Sequence, residues 1–517
     1  MLVHLPSKRL VLNLRNPERV SAFLPTAREF DYKGSKLLAV PHRLDEVRVL
    51  RNLGINAPSP IMHHYDWPTG YPDMSPFEAQ RLTAQFLTLN PRAFVLNDMG
   101  TGKTLATLWA FDYLRKLGLA NKALVLSPLS TLERTWGDEI FTHFPHLNAA
   151  VLHGDKAKRQ KLLASDMFDV FILNHHGINV IERELSERGL DTLIVDEGAI
   201  FRNGSTKLWK TLNRLAAKFD RIWWLTGTPT PNAPTDAWAQ CRIVSPGRVP
   251  RYQGAFRDSV MRQMGPFRFV PRETATEIVR EAMQPAIRFT RDECVDLPPV
   301  MHQTVQVPLT PELTAAYKLM LTTLKLEVAN GQITAANEAV KRSKLLQIGC
   351  GAVFANDGES RVLENKPRVE EVKRIIEAAH TKTIVFVPFK PVLAYVAGEL
   401  EADGVQVGRI SGDVPAQERA RIFKRFQDGD LEVLVAQPGA MSHGLTLTAA
   451  NTVVWYAPTD SNETYEQANA RITRPGQKHT QFIVHIQGTP VEKLAYARLK
   501  TRQKMQGMLL EAVELDR

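Results

Sequence analysis

Residues 92–104 read RAFVLNDMGTGKT, and the helix-forming run TLATLWAFDYLRK continues from Thr104. The order is an apolar strand, a glycine loop and a helix start. A loop of this kind turns its backbone N–H groups inward at a positive helix N-terminus, which suits the outer phosphates of a nucleoside triphosphate. Gly100 and Gly102 let the chain curl, with Asp98, Met99 and Thr101 completing the loop. Lys103 supplies a point charge between the outer phosphates, and the Thr104 hydroxyl can ligate Mg²⁺. Asn97 stands where the GxxxxGK[ST] pattern has its first glycine, so the generic pattern is met in part.

Outward from this stretch, short β-branched runs alternate with helix-length amphipathic segments, the pattern of parallel βαβ units. RAFVLN (92–97), ALVLS (123–127), AAVLH (149–153), DVFILN (169–174), TLIVD (192–196) and RIWWLT (221–226) form one set of strands. TIVFV (383–387), VQVGRI (405–410), EVLVA (432–436), TVVWY (452–456) and QFIVHI (481–486) form a second, with HQTVQV (302–307) as its sixth member. Near-continuous apolar runs imply strands covered by helices on both faces. The expected fold class is α/β, with two doubly wound parallel-sheet lobes. Pro-punctuated residues 1–70, with LVLNL (10–14), LLAVP (37–41) and a helix over 44–54, are expected to form a small α+β accessory domain. The first lobe is expected over 71–295 with a helical insertion at about 235–295. The second is expected over 296–517 with a helical insertion at about 310–365 and a C-terminal helix.

Composition narrows the partner classes without choosing among them. The 517 residues carry 65 Lys and Arg against 55 Asp and Glu, a net charge of +10, and 44% are hydrophobic. Those values are ordinary for a globular chain. No apolar run approaches the roughly 18 residues of a membrane span. Lys8 and Arg9 break the apolar N-terminus, against a secretory signal. Three widely spaced cysteines, Cys241, Cys294 and Cys350, exclude a disulfide framework and a cysteine zinc site, and suit a reducing cytoplasm. A polyanion partner would need the positive charge gathered on one face.

Three further motifs stand in order around the loop. Asp196 and Glu197 close the buried run TLIV, where a neighbouring strand end can supply a water-mediated Mg²⁺ ligand and a base that orients the attacking water. LTGTPTPN (225–232) places hydroxyls and a glycine at the next strand end. SPFEAQ (75–80) precedes the first strand, so Gln80 could pair with an adenine edge and Phe77 could cover its ring. In the second set, QANARITRPGQ (467–477) holds Arg471 and Arg474 three apart on one helix face. Guanidinium groups there could reach the γ-phosphate of ATP across a cleft.

Together these residues resemble the superfamily-two helicases, and within them the Swi/Snf-type DNA translocases. The resemblance spans about residues 71–490. It is carried by DMGTGKT, DEGA, LTGTPTPN, DLPPVMHQTVQVPLTPELTAAY, KLLQIGC, RISGDVPAQERARIFKRF and the run from Gly444 to Gln477. It implies two RecA-like lobes and an ATP hydrolase. Lys103 and Thr104 would hold phosphate and Mg²⁺, Asp196 and Glu197 would serve metal and water, and Arg471 and Arg474 would be trans-lobe fingers. Gly444 and Gln467 would lie near the phosphates, with Phe77 and Gln80 meeting adenine. Ser127, Pro128, Asn174, His175, Thr228, Ser411 and Gly412 would touch the DNA sugar-phosphate backbone. Ala199 replaces the family's usual His, and the aromatic before its sixth motif is replaced around Asp460. Residues 1–70 are faintly similar to the substrate-recognition region of HARP-type annealing helicases.

The expected activity is a monomeric, DNA-dependent ATPase that tracks along duplex or branched DNA, in the bacterial cytoplasm at the nucleoid and encoded by a bacterium or phage. Two rivals stand beside it: a structure-specific annealing motor acting on forks or recombination intermediates, and a non-catalytic DNA clamp with a motor fold. The segment RARIFKRF (419–426) and the run Lys156, Lys158, Arg159, Lys161 are candidate backbone contacts.

Overall fold

Buried β-branched runs need partners on both edges and helices on both faces, and parallel sheets supply both. In the first half of the chain they form a seven-stranded sheet with every pairing parallel. Its order is Ala286–Ile287, Arg92–Val95, Arg221–Leu225, Thr192–Asp196, Ala123–Ser127, Val170–Asn174 and Ala149–Val151. The second half forms a six-stranded parallel sheet in the order Val300–Gln306, Gln481–Gln487, Ala450–Trp455, Lys382–Phe386, Val433–Ala436 and Val407–Ile410. The architecture is thus α/β with two parallel-sheet lobes, as the alternating runs imply. Ala286–Ile287 escapes the sequence pattern because two residues carry no periodicity. This computed structural model describes residues 1–514 apart from 72–73, 266–267, 295–296, 330–334, 355–359, 380, 442–444 and 475.

Ahead of the first lobe lies a four-stranded antiparallel sheet in the order Leu2–His4, Arg9–Leu12, Ser35–Pro41 and Arg28–Tyr32. Alternation directs Leu10, Leu12, Leu38 and Val40 to one face, where they are fully buried with Val20, Leu44, Val47 and Leu50 of the helices Pro17–Ser21 and Leu44–Asn52. That core runs without a break into the core of the first lobe. The Tyr65 hydroxyl donates to Asp112 Oδ2 at 2.7 Å inside the joint.

The insertions are mainly helical, and each also contains a two-stranded hairpin. Residues 235–295 hold the helices Asp236–Val244, Gln253–Val260 and Ala275–Ala282 with the hairpin Met261–Gly265 and Arg268–Pro271. Helices Pro311–Ala329 and Ala335–Cys350 are followed by the hairpin Ala352–Phe354 and Ser360–Val362. The last helix, Pro490–Glu514, leaves the second lobe and packs against Ala275–Ala282 of the first. Within the second lobe, Arg368 and Glu492 form a fully buried ion pair at 2.6 Å.

In parallel sheets all strands end on one edge, so the residues just after them collect there. Asp98, Asp196, Glu197 and Thr226–Gly227–Thr228 therefore meet on one rim of the first lobe, although as many as 130 positions separate them.

Candidate nucleotide site between the lobes

The glycine loop runs from Asp98 into the helix Lys103–Lys116. Gly100 and Gly102 both have positive φ, 83° and 74°, which side chains rarely adopt. At Gly102 a Cβ would also come within 2.0 Å of Gln80 Nε2, the end of a side chain that would have to shift, so the positive φ is what requires glycine there. Lys103 is half-buried in the loop, and its Nζ donates to the carbonyls of Asn97 at 2.8 Å and Asp98 at 2.9 Å. Burial pulls its pKa down, while Glu197, Asp196 and Asp98 hold it up. Asn97, which replaces the pattern's first glycine, fastens the loop instead. Its Nδ2 donates to Thr83 Oγ1 at 2.9 Å and its Oδ1 accepts from Phe289 N–H at 3.0 Å.

The acidic pair sits opposite. Asp196 accepts from Trp136 Nε1 at 3.0 Å, from Ser127 Oγ at 3.3 Å and from Glu197 N–H at 3.0 Å. Glu197 has left-handed backbone, φ 50°, and a buried Oε2 with no hydrogen-bond partner among the described residues. Burial, then the Asp196 charge, push the Glu197 pKa up to about 7 against the opposing pull of Lys103. A carboxyl group poised near neutrality suits a proton acceptor.

The second lobe brings its arginines to this group. Arg471 is 2% exposed, and its Nε and Nη1 have no hydrogen-bond partner among the described residues. Burial and Arg474 bring its pKa down to about 9, with Glu197 opposing, so it stays a cation at neutral pH. Arg474 Nε donates to the Ala470 carbonyl at 3.2 Å, and its charge reaches Lys103 and Glu197. Gln467 Nε2 is likewise buried and unpartnered. Unpaired guanidinium, carboxamide and carboxylate groups are costly to bury. Collected in one cleft, they suit a ligand rich in acceptor oxygens. Beside this group a separate inter-lobe space of about 340 Å³ is lined by Asp98, Met99 and Thr228 from the first lobe and by Asn469, Ala470 and Thr473 from the second, and neither Lys103, the acidic pair nor the two arginines line it.

Several expected contacts are placed differently. Gln80 is 3% exposed and its Oε1 accepts from Phe77 N–H at 2.9 Å, so the carboxamide caps its own helix and braces Gly102. Phe77 itself is 46% exposed and free to cover a ring. The Asp98 carboxylate faces Arg288 Nη1 at 2.8 Å and the Arg291 N–H at 3.1 Å, leaving only its backbone to the loop's function. Ser127 is wholly buried, its hydroxyl on Thr131 and Asp196. His175 is buried too, with Nε2 2.8 Å from the Asp196 carbonyl, and burial drives its pKa to about 4. Both side chains back the acidic pair rather than face solvent. Thr228 lines the neighbouring inter-lobe space, with Oγ1 buried and without a hydrogen-bond partner among the described residues. Pro128, Asn174 and Ser411 are partly exposed, and Gly412 is exposed with its N–H on Gln437 Oε1 at 3.0 Å. The expected role of Gly444 falls outside the described residues.

Other residues matter that no motif announced. Arg291 reaches across the cleft to the Thr473 carbonyl at 3.2 Å, and Arg202 pairs with Glu463 at 3.3 Å. The second contact lies beside the departure at Ala199, whose carbonyl accepts from Arg202 at 3.0 Å. Asp460, at the other departure, pairs with Arg342 at 3.0 Å. In RARIFKRF, Arg419 bonds the Ala440 carbonyl, Arg421 pairs with Glu418 and Arg425 with Asp430, so much of that charge is answered locally. Lys156, Lys158 and Lys161 stay exposed on the helix Lys156–Ala164.

The chain matches the family described as the SNF2-related domain over residues 87–351 and the helicase conserved C-terminal domain over residues 367–476. It is 26% identical over 464 residues to the putative protein p41 of Acyrthosiphon pisum secondary endosymbiont phage 1, covering 85% of this chain and 99% of that protein. It is also 26% identical over 444 residues to the ATP-dependent DNA helicase DDM1 of Arabidopsis thaliana, covering 78% of this chain but only 58% of that longer protein. Among solved structures it is similar to the Sulfolobus solfataricus SWI2/SNF2 ATPase core in complex with dsDNA, at 23% identity and a TM-score of 0.41, covering 86% of this chain and 95% of the other.

Proposed function

The chain belongs to the SNF2-related family, and from that premise we propose that it is a DNA-dependent ATPase that moves along the DNA backbone and remodels DNA or protein–DNA structures. One arrangement carries the reading. Lys103, Asp196 and Glu197 from the first lobe face Arg471 and Arg474 from the second across a single cleft, with buried guanidinium and carboxylate atoms left unpaired. A non-catalytic clamp would have no use for that alignment.

ATP is the substrate. Its phosphates would take the loop N–H groups, and Lys103 would exchange the Asn97 and Asp98 carbonyls for phosphate oxygens. Glu197 would accept the proton of the attacking water, and Arg471 and Arg474 would stabilise the charge that grows on the transferred phosphoryl group. Mg²⁺ fits the donor set: the Asp196 carboxylate and the Thr104 hydroxyl are hard oxygen ligands, and such an ion brings waters and binds with the triphosphate. When bound it neutralises phosphate charge. Because Arg291 and Arg202 already bridge the lobes, nucleotide chemistry at the cleft would reset the angle between them.

DNA would be gripped through its phosphates, without regard to sequence. Pro128, Asn174, Ser411 and Gly412 are the proposed contacts, and a monomer on duplex or branched DNA is the proposed working form. Near-complete coverage of the phage relative favours a phage-encoded motor acting in the cytoplasm of a bacterial host. The test is ATP hydrolysis with and without duplex DNA. Several-fold stimulation that fades as salt rises is expected. No hydrolysis under any condition would favour the clamp.

A further inference from the structure

The N-terminal antiparallel sheet has two faces of opposite character. One is the core face already described. Register places the other side chains on the outer face: Leu2 and His4, Arg9 and Val11, Leu37 and Ala39, then Arg28, Phe30 and Tyr32 on the edge strand. Every residue of that edge strand is exposed, with Phe30 at 38% and Tyr32 at 56%. The two acids of the strand, Glu29 and Asp31, alternate to the opposite face. The four strands therefore present aromatics and arginines outward with no carboxylate among them. Lys33 adds a cation 5.4 Å from the Tyr32 ring centre. Residues 1–43 carry eight Lys and Arg against three Asp and Glu, a surplus of five, or half of the net +10 of the whole chain.

Exposed aromatic rings on a sheet face beside cations, with the strand's two acids turned to the opposite face, match the requirements of one ligand class. Bases stack on the rings while the backbone phosphates meet the arginines, and the bases must be unpaired for their faces to be reached. We propose that this outer face is a second nucleic-acid site, separate from the motor cleft, that binds single-stranded polynucleotide. Duplex offers it no base faces. A protein partner or a second copy would find Leu2 and Phe30 but would have no need for arginines on a face without carboxylates. The proposal goes beyond the motor reading, since a platform of this kind would hold the strand exposed at a fork or gap while the lobes work on the neighbouring duplex.

The test uses the full chain and fluorescence anisotropy with labelled dT20, rU20 and a blunt 20-base-pair duplex at fixed salt. Replacing both exposed rings, Phe30→Ala with Tyr32→Ala, should weaken dT20 binding roughly tenfold or more. Tyr32→Trp should preserve it, as should Glu29→Ala with Asp31→Ala on the opposite face. Comparable loss with dT20 and rU20 marks a platform that does not distinguish the sugars, and loss with one alone assigns the strand type. Duplex-stimulated ATP hydrolysis in the double variant should stay within twofold of wild type, so failure of the motor reading would be scored separately. Unchanged single-strand affinity in the double variant overturns the proposal. So does a dimer, seen by light scattering, that the same variant dissolves.

Discussion

Glu197 offers the sharpest test of the site because its environment predicts a pH dependence as well as a loss. Burial and the Asp196 charge raise its pKa to about 7. A base must be ionised to accept a proton, so the competent fraction grows as pH rises through that value: about 10% at pH 6, about half at pH 7 and about 90% at pH 8. The predicted rise in kcat/KM between pH 6 and pH 8 is therefore roughly tenfold. A carboxylate at its ordinary value near 4.5 would be almost fully ionised throughout, for a change of only a few per cent. Phosphate release at low ATP, with Mg²⁺ and duplex saturating and ionic strength constant, reads this profile for the DNA-bound enzyme before ATP binds. Glu197→Gln keeps the shape and removes the titrating group, so turnover should fall by about 10² to 10⁴ and the acidic limb should vanish. A flat wild-type profile from pH 6 to 8, or a Gln variant that keeps the rise, would refute the assignment.

Arg471→Ala and Arg474→Ala should each lower kcat by roughly 10³ or more while leaving ATP affinity, read by equilibrium binding of a fluorescent analogue, within a few-fold of wild type. Gly102→Ala should raise the KM for ATP about tenfold, because alanine at φ 74° costs about 1–2 kcal/mol and its Cβ meets the Gln80 amide. Arg368→Met strands Glu492 as a lone buried charge and should cost about 3–5 kcal/mol, visible as a lower Tm. Adding Glu492→Leu should recover most of that loss.

Much of the fold lies open in the apolar runs, since strands buried on both faces have no polar positions to disguise them. Edge elements are harder to see. Arg28–Tyr32 reads REFDY, too charged to register as a strand, and only its pairing with Ser35–Pro41 reveals that the aromatics share a face. At the site, the loop, the acidic pair and the arginines are legible because each is a compact motif. Side-chain direction is not. Ser127 and His175 stand at strand ends, which suggests the surface, yet both are buried with their polar atoms on Asp196. Gln80 looks like a base reader until its carboxamide is seen capping its own helix. The partners of Asp98 lie 190 or more positions away, beyond any local pattern.

Those partners give the loop a mechanical position. The Asp98 carboxylate grips the segment at Arg288 and Arg291, the Arg291 side chain holds the Thr473 carbonyl, and Arg474 is the next residue. The glycine loop and the proposed arginine finger are thus joined through one residue, Arg291. In the proposed motor, the loop that meets the nucleotide and the arginine that acts on it would be coupled through this short link.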